Sequence, residues 1–383
     1  MNQFDQIRCY ADNEIPEILQ QLCNEKQFIN VVSTAYPLLP KEVIKQRLCS
    51  YKDVYTFQKE FIYPFLHNLE ATKSNGILLK GIDKLDRNNS YIFLSNHRDI
   101  VLDAAFLCIK FIEIGFDTVE VAIGDNLLVY PWIEHFARVN KSFIVKRGLS
   151  LKQIFESSKL LSEYIKHVIS DKKQSLWIAQ REGRAKNSDD RTQESIIKML
   201  NMSGKSNNIA DNLLSLNICP LTISYEYDPC DYLKAKEFQQ KRDNPDFKKE
   251  TNDDLLNMQI GILGYKGRIE YCFAGSINDY LPELWSQSAD KNQFFSLVAA
   301  HIDRKIHSNY QIYNINKIAY DKLNNTQRFA ADYSIIEKLD FEKYLTKQID
   351  KIDLPDKDHD FLMRKLLEMY ANPLVNYLVA SGK

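Results

Sequence analysis

The sequence lacks three features that would each define a class of protein. Its most apolar predicted helix, over residues 100–116, is interrupted by Asp103, Lys110 and Glu113, well short of the roughly 20 apolar residues that span a bilayer. Its seven cysteines are scattered without a C-x-x-C pair, which argues against a disulfide framework or a zinc site. Its formal net charge of −1 argues against a surface that wraps nucleic acid. We therefore expect a reducing compartment, no zinc site and no nucleic-acid partner.

The composition is that of an ordinary globular protein. At 383 residues, with 44% hydrophobic and 26% charged content, the chain is long enough for one large domain with extensions or for two domains. Residues 1–5 lack a basic start followed by an apolar core, so we expect no secretory signal.

Apolar periodicity divides the chain into three parts. Residues 15–70 have helical spacing, and residues 77–273 alternate between strand and helix patterns. This alternation predicts an α/β fold, with a mixed, largely parallel sheet flanked by helices and with helical N-terminal and C-terminal extensions. We predict a helical N-terminal cap over 1–73, an α/β domain over 74–292, and a helical C-terminal region over 293–383 that packs on the α/β domain.

Several elements follow from local composition. Residues 77–82 and 91–94 flank the turn-rich stretch 86–90, which is typical of a strand pair. Further strands are expected over 119–123, 142–145, 175–179, 218–225 and 268–273. The Lys-rich stretch 231–254 is expected to be a solvated helix plus loop. A break near Pro355 precedes a final helix over 361–370.

His97 lies where a predicted buried strand meets a predicted helix. The run Tyr91–Leu94 is apolar and β-rich, and helical spacing begins at Ile100, so His97 occupies the turn between them. Asp99 and Asp103 follow it closely. Such a turn leaves side chains exposed at a sheet edge, and a histidine beside a carboxylate is the arrangement of a general base with its orienting acid. A histidine that only fills the turn is the alternative.

Three later segments place charged groups or a proline at strand positions. The predicted strand 142–145 ends in Lys146 and Arg147, a pair suited to phosphate oxygens. The strand 175–179 leads into a segment with a carboxylate, a flexible glycine and more cations, Glu182-Gly183-Arg184-Ala185-Lys186. The third of these segments, 218–225, carries Pro220 near its start. A strand end that merely meets solvent is the alternative for each.

The order of these segments resembles the glycerolipid acyltransferase superfamily, whose first motif is a histidine and an aspartate separated by four residues. The resemblance covers about residues 77–273, and the stretch 124–147 looks more like the glycerol-3-phosphate branch than the lysophosphatidate branch. The matching positions, in chain order, are Asn96-His97, Arg147, Glu182-Gly183 with Arg184, and Pro220.

One position departs from that motif. Five residues separate His97 from Asp103 where the family has four, and Asp99 lies only two positions beyond the histidine. In one arrangement the extra residue is absorbed in the turn, Asp103 orients the imidazole and Asp99 caps the helix. In the other arrangement Asp99 is the partner of His97.

The resemblance implies an O-acyltransferase of phospholipid biosynthesis that transfers a fatty acyl group from acyl-CoA or acyl-carrier protein to a glycerol-phosphate-type acceptor, glycerol-3-phosphate or lysophosphatidate. His97 would be the general base, with Asp103 or Asp99 as its partner, and N–H groups at the start of the following helix would stabilise the oxyanion. The resemblance implies no metal and no resident cofactor, with acyl-CoA or acyl-carrier protein as co-substrate. The implied substrate-binding residues are Asn96, Arg98, Lys146, Arg147, Glu182, Gly183, Arg184 and Lys186.

Two other functions stay open. The acceptor can be another lysolipid or an amino-lipid, or the chain can be a non-catalytic lipid-binding protein of the same fold that associates with membranes. A serine hydrolase would need a G-x-S-x-G elbow, which the sequence does not contain. Because acyl products are insoluble, we expect a cytoplasmic protein that docks peripherally on the inner face of the cell membrane, through apolar side chains of the N-terminal helices: Phe57, Phe61, Ile62, Tyr63 and Phe65.

Overall fold

A seven-stranded sheet lies at the centre of the computed structural model, which describes residues 3–383. The strand order is β1-β7-β6-β2-β5-β3-β4, and every neighbouring pair is parallel except β6 and β7. The expected mixed, largely parallel sheet of an α/β fold is therefore confirmed. The strands are Ile77–Lys80 (β1), Ile92–Ser95 (β2), Glu120–Gly124 (β3), Ser142–Val145 (β4), Leu176–Ala179 (β5), Ile218–Tyr225 (β6) and Ile269–Phe273 (β7).

Helices precede, connect and follow the strands. Within residues 3–383, no helix combines the length and apolar content needed to cross a bilayer. The α-helices are Ile15–Asn24 (α1), Lys26–Ala35 (α2), Lys41–Ser50 (α3), Val54–Phe57 (α4), Tyr63–Lys73 (α5), Leu102–Glu113 (α6), Pro131–Val139 (α7), Leu151–Ser170 (α8), Glu194–Asn201 (α9), Ile209–Leu214 (α10), Asp231–Asp243 (α11), Thr251–Leu263 (α12), Leu281–Ser286 (α13), Lys291–Ser308 (α14), Asn314–Asn324 (α15), Ile335–Asp350 (α16) and His359–Ser381 (α17).

The central strands β2, β5 and β6 are buried along nearly their whole length, and most of their side chains are apolar. Side chains alternate between faces along a strand, so Ile92 and Leu94 join the cluster beneath α8 and α14. Phe93 points to the other face and packs among the apolar residues of α6. Central parallel strands covered by helices on both sides are continuous hydrophobic runs of this kind.

Five strands end at the same edge of the sheet. Because β1 and β7 run opposite to the rest, the carboxyl ends of β6, β2, β5, β3 and β4 lie side by side in that order. In open α/β sheets, ligands bind at the carboxyl ends of the strands. The segments after β2, β3, β4 and β5 are therefore brought to one edge.

The N-terminal helices have an apolar cluster of their own, which α7 completes. Phe57 is fully buried and Phe61 is 3% exposed within this cluster, while Ile62, Tyr63 and Phe65 are half-buried. The expectation that Phe57 and Phe61 face a membrane is wrong, because both side chains are packed against other helices.

The segment before α1 covers one edge of the sheet. The N–H of Ile144, in the edge strand β4, donates a hydrogen bond of 2.8 Å to the carbonyl of Ile7. Ile7 itself is buried in the cluster beneath α8. This short segment therefore lies against an outer strand that would otherwise present unpaired backbone groups.

Three expectations about elements need correction. Strands β1 and β2 are not a pair: β1 pairs with β7, and β2 lies between β5 and β6. Helix α11 is not simply solvated, because Lys234 and Glu237 are among its buried residues. The final helix α17 is longer than residues 361–370 and contains Pro373. The division into domains at residues 73 and 292 stays a prediction.

Candidate active site

The turn between β2 and α6 joins His97 to Asp103. The Nδ1 atom of His97 lies 2.8 Å from Oδ2 of Asp103, whose side chain is 1% exposed. A carboxylate only accepts hydrogen bonds, so Nδ1 carries the proton and Nε2 is left as the unprotonated nitrogen. Among residues 3–383, Nε2 makes no hydrogen bond, and the His97 side chain is 14% exposed. The imidazole is thus held in one tautomer with a nitrogen available to a substrate.

The turn itself fixes the position of the Asp103 carboxylate. Its Oδ2 also accepts hydrogen bonds from the backbone N–H groups of Arg98, at 2.6 Å, and of Asp99, at 3.0 Å. The hydroxyl of Tyr271, in β7, donates a hydrogen bond of 2.8 Å to the backbone carbonyl of Asp103. The orienting carboxylate is therefore set by strand and helix geometry before any substrate arrives.

Asp99 has a different task in the same turn. Its Oδ1 accepts hydrogen bonds from the N–H groups of Val101, at 2.9 Å, and of Leu102, at 2.8 Å, so it closes the turn that leads into α6. Burial and then the neighbouring Asp103 raise the pKa of Asp99. Of the two arrangements that the sequence leaves open, the structure has the one in which Asp103 contacts the imidazole.

Four N–H groups near the start of α6, where oxyanion donors were expected, already have acceptors in the turn. The N–H groups of Arg98 and Asp99 are bonded to the Asp103 carboxylate, and those of Val101 and Leu102 are bonded to Asp99. Since each of these donors already has a carboxylate acceptor, that expectation is wrong for these four groups.

Asn96 and Arg98 are buried and bonded within the protein. The Asn96 amide exchanges two hydrogen bonds of 2.8 Å with the backbone of Ile223 in β6. Arg98 forms an ion pair with the buried Asp190 and donates to the Ser188 hydroxyl at 2.6 Å. Through these contacts both side chains hold the turn against its neighbours. The expectation that they bind substrate stays a prediction.

Trp177 of β5 forms a wall of the site. Its ring packs edge-on against His97, with 5.3 Å between the ring centroids. An aromatic edge against the imidazole restricts how that ring can turn. Because the strand pattern identifies Trp177 only as a core residue, sequence reasoning does not assign it to the site.

Arg147 and Glu182 meet above the ends of β4 and β5. Nη1 of Arg147 lies 2.5 Å from Oε1 of Glu182, and the backbone N–H of Arg147 donates to Asp125 at 3.0 Å. Lys146 lies 4.0 Å from the same Asp125 carboxylate, and Gly183 adopts a φ of 68°, which favours glycine. Asp125 directly follows β3. The rule that selects Arg147, a charged residue just after a predicted strand, therefore also selects Asp125.

This ion pair is offset from His97 across the sheet. Strand β5 neighbours β2, whereas β4 is three strands away, about 14 Å at the usual strand spacing. The Arg147 side chain reaches back to the segment after β5 to meet Glu182. Their side chains are 30% and 67% exposed, so the pair is open to solvent and to a ligand.

Arg184 and Lys186 lie toward α11 and α12. Arg184 donates to the Asn257 amide at 3.3 Å, and Lys186 pairs with Glu237 of α11. The expected binding residues after β5 are therefore divided into two groups. Glu182 joins Arg147, and the two cations that follow Gly183 join α11 and α12.

Helix α12 packs directly on the turn that holds His97, Asp99 and Asp103. A Cβ added to Gly261 would lie 2.2 Å from Oδ2 of Asp99, so only glycine allows this approach. The fully buried Lys266 follows α12 and donates to the Gly264 carbonyl at 2.6 Å. Burial lowers the pKa of Lys266 to about 8. The sequence pattern gives no signal for this contact, because α12 is distant from β2 along the chain.

One cluster away from the turn has the donor types of a metal site. His67, Glu70 and Glu113 place ligand atoms within 4.8 Å of one another. The ammonium of Lys110 lies 2.7 Å from Glu70 and 2.9 Å from Glu113, so a side chain already supplies the positive charge there.

The chain has structural similarity to a solved protein but no detected similarity in sequence. No protein-family model matches the chain, and no curated protein matches it by sequence. Among solved structures, the chain matches the crystal structure of the 1-acyl-sn-glycerophosphate (LPA) acyltransferase PlsC from Thermotoga maritima. That match is 10% identical and covers 76% of this chain and 94% of that one, with a TM-score of 0.36. Its similarity is too distant to assign substrates or residues.

Proposed function

We propose that the protein transfers a fatty acyl group from a thioester donor, acyl-CoA or acyl-carrier protein, to a hydroxyl of a glycerol-phosphate-type acceptor. The observation that carries this proposal is the His97–Asp103 pair at the carboxyl end of the central strand β2. It presents an unprotonated nitrogen at an edge where neighbouring strand ends supply cations. A base beside phosphate-binding groups suits the deprotonation of a phosphorylated alcohol.

The reaction requires one base and no covalent acyl-enzyme. His97 Nε2 takes the proton of the acceptor hydroxyl as its oxygen attacks the thioester carbonyl carbon. The carbon–sulfur bond then breaks, and the imidazolium returns the proton to the departing thiolate. Asp103 holds the tautomer and stabilises the imidazolium while it exists.

The acceptor's phosphate would be held by Arg147 and Lys146. A guanidinium offers a planar pair of donors to phosphate oxygens, and a nearby ammonium adds charge. Glu182 occupies Arg147 in the present structure, so an incoming phosphate would compete with that carboxylate. Glycerol-3-phosphate and lysophosphatidate both carry this group, and an acceptor without phosphate would not need Arg147.

The experiment is an acyl-transfer assay on the full chain. Palmitoyl-CoA and palmitoyl-acyl-carrier protein are each offered with glycerol-3-phosphate, lysophosphatidate or an uncharged lysolipid, and free thiol and lipid product are both measured. Wild type should form product, and His97→Ala should lose about 10²–10⁴-fold in rate. His359→Ala, at the exposed start of α17, is the matched control. Equal thiol release by wild type and His97→Ala would contradict the proposal.

We further propose that α12 contacts the membrane from which a lipid acceptor or product is exchanged. Leu256, Leu263 and Tyr265 are 44%, 51% and 49% exposed, while Gly261 of the same helix touches the catalytic turn. An apolar face beside the site would place the peripheral protein with its site at the lipid surface. Leu256→Ser with Leu263→Ser should weaken co-sedimentation with anionic phospholipid vesicles severalfold. Ile335→Ser with Ile336→Ser, also exposed, should not change it.

A further inference from the structure

Three lysines converge on one carboxylate beside the candidate active site. Glu237 of α11 pairs with Lys186, lies 2.8 Å from Lys241 and lies 3.1 Å from Lys249. Lys186 comes from the segment after β5, Lys241 from α11, and Lys249 from the loop before α12. Separate parts of the chain therefore bring their ammonium groups to one place, which we call the lysine cluster.

The lysine cluster has more positive charge than its shared carboxylate neutralises. Of its three lysines, only Lys249 contacts a second carboxylate within residues 3–383, that of Asp254 at 3.5 Å. The Glu237 side chain is 5% exposed, whereas those of Lys186, Lys241 and Lys249 are 28%, 51% and 27% exposed. The carboxylate lies beneath the ammonium groups, which keep N–H donors toward solvent.

The protonation behaviour of the cluster agrees with crowded cations. Burial lowers the pKa of Lys186 to about 8, and the neighbouring Lys241 and Lys249 also act to lower it. Burial acts to raise the pKa of Glu237, but hydrogen bonds from Lys186 and Lys241 outweigh it and lower that pKa to about 2. A bound anion would relieve the repulsion among the lysines.

Helix α12 connects the lysine cluster to the catalytic turn. Along one of its faces, Asp254 lies near Lys249, Asn257 bonds Arg184, and Gly261 touches Asp99. Asp254 and Gly261 are seven residues apart, so this face measures about 10 Å along the helix axis. Helix α12 thus extends from the cluster to the turn that holds His97.

We propose that the lysine cluster binds the phosphates at the nucleotide end of a coenzyme A donor. This inference rests on the proposed acyl-transfer function, because it assigns the donor. In CoA the flexible pantetheine arm separates the thioester sulfur from the phosphates, so a donor needs one site for its reacting end and another for its anionic end. Lys146 and Arg147 lie at the opposite group of strand ends, which leaves them to the acceptor. Several ammonium groups around one position suit a multiply charged phosphate.

Direct binding separates this inference from the proposed reaction. CoA, 3′-dephospho-CoA and glycerol-3-phosphate are titrated into the full chain by calorimetry, with wild type, Lys241→Gln, Lys249→Gln and the double variant. We expect each single variant to bind CoA about tenfold more weakly, as for one lost charge-assisted hydrogen bond. Glycerol-3-phosphate affinity should be unchanged. Lys248→Gln, which removes an exposed lysine beside the cluster, is the matched control and should bind CoA like wild type.

The binding results can overturn the donor assignment or support it. Failure of wild type to bind CoA, unchanged CoA affinity in the double variant, or loss of glycerol-3-phosphate affinity in its place would overturn the donor assignment. A smaller effect of the variants on 3′-dephospho-CoA than on CoA would support it and would place the 3′-phosphate on the cluster. If CoA binds as expected but no lipid product forms, the site stands and the proposed transfer fails. If product forms while the variants bind CoA normally, the proposed transfer stands and the CoA site at the lysine cluster fails.

Discussion

The choice between Asp103 and Asp99 depends on which backbone atoms each carboxylate meets. Both are buried within a few residues of His97, and sequence spacing alone favours neither. Asp103, already on the first turn of α6, reaches back to the imidazole, while Asp99 bonds the N–H groups ahead of it. The extra residue relative to the family motif is taken up in this turn. The hydrogen bonds, and not the sequence spacing, distinguish the roles of the two aspartates.

Asparagine substitutions at the two aspartates should therefore have unequal effects. Asp103→Asn replaces an acceptor of three N–H bonds with an amide, removes the charge that stabilises the imidazolium, and should lower kcat by about 10²–10⁴-fold. Asp99→Asn keeps an oxygen for Val101 and Leu102 and should stay within a few fold of wild type. Steady-state kinetics with circular dichroism checks both. A larger loss in Asp99→Asn would assign the orienting role to Asp99.

Arg147 should affect substrate affinity more than protein stability. Its ion pair with Glu182 is solvent-exposed, and such pairs contribute about 0–1 kcal/mol to the free energy of unfolding. Arg147→Ala should raise KM about tenfold for a phosphorylated acceptor and leave KM for an uncharged lysolipid unchanged. Acyl-transfer kinetics with both acceptors, together with urea unfolding, make the test. An equal rise in KM for both acceptors would remove the phosphate role of Arg147.

At the scale of elements, α12 determines the site as much as β2 does. It meets the catalytic turn through Gly261 and the segment after β5 through Asn257. Gly261→Ala places a methyl group against the Asp99 carboxylate, so either the turn or the helix must shift. We expect a loss of about 1–3 kcal/mol in the free energy of unfolding and lower activity. Gln259→Ala, on the exposed side of α12, should leave both unchanged in denaturant titration and kinetics. Full activity of Gly261→Ala would contradict a tight contact.

Local sequence patterns predicted the bounds of some elements well. They failed to predict strand pairing and the burial of charged groups, which depend on residues distant in the sequence. Strands β4 and β6 have the predicted bounds, 142–145 and 218–225, because each is a continuous apolar run between turns. The pairing of β1 with β7 was missed, since parallel partners meet only through a long connection. Helix α11 was misjudged for a related reason. Its Lys234 and Glu237 are buried and paired with charged groups from other segments, and the sequence does not show which charged groups face inward.

At the scale of the whole molecule, a buried aspartate joins α11 to the C-terminal helices. Asp231 accepts hydrogen bonds of 2.7 Å from the hydroxyls of Tyr344 in α16 and Tyr370 in α17, and it also accepts from Gln348. Burial raises the pKa of Asp231 to about 6. The folded protein therefore holds a proton on this group that the unfolded chain releases at lower pH.

This linkage has a definite sign. Between about pH 4 and 6 the folded state binds more protons than the unfolded state, so this group's contribution to stability falls as the pH rises. Asp231→Asn removes this titration. The difference in free energy of unfolding, variant minus wild type, should therefore increase between about pH 4 and 6, by up to about 3 kcal/mol at pH 7 compared with its value below pH 4. Urea unfolding at several pH values measures the difference. Asp350→Asn, at the exposed end of α16, is the control. A constant difference between Asp231→Asn and wild type would contradict the linkage.

The contact between Ile7 and β4 has a consequence for association between molecules. Strand β4 is an outer strand, and an outer strand with free backbone groups is a template for pairing with another chain. The short segment that carries Ile7 bonds to it and is anchored by burial of that side chain. Release of this segment would expose backbone groups of β4 to pairing with another chain, so we expect the segment around Ile7 to limit aggregation as well as contribute to the core.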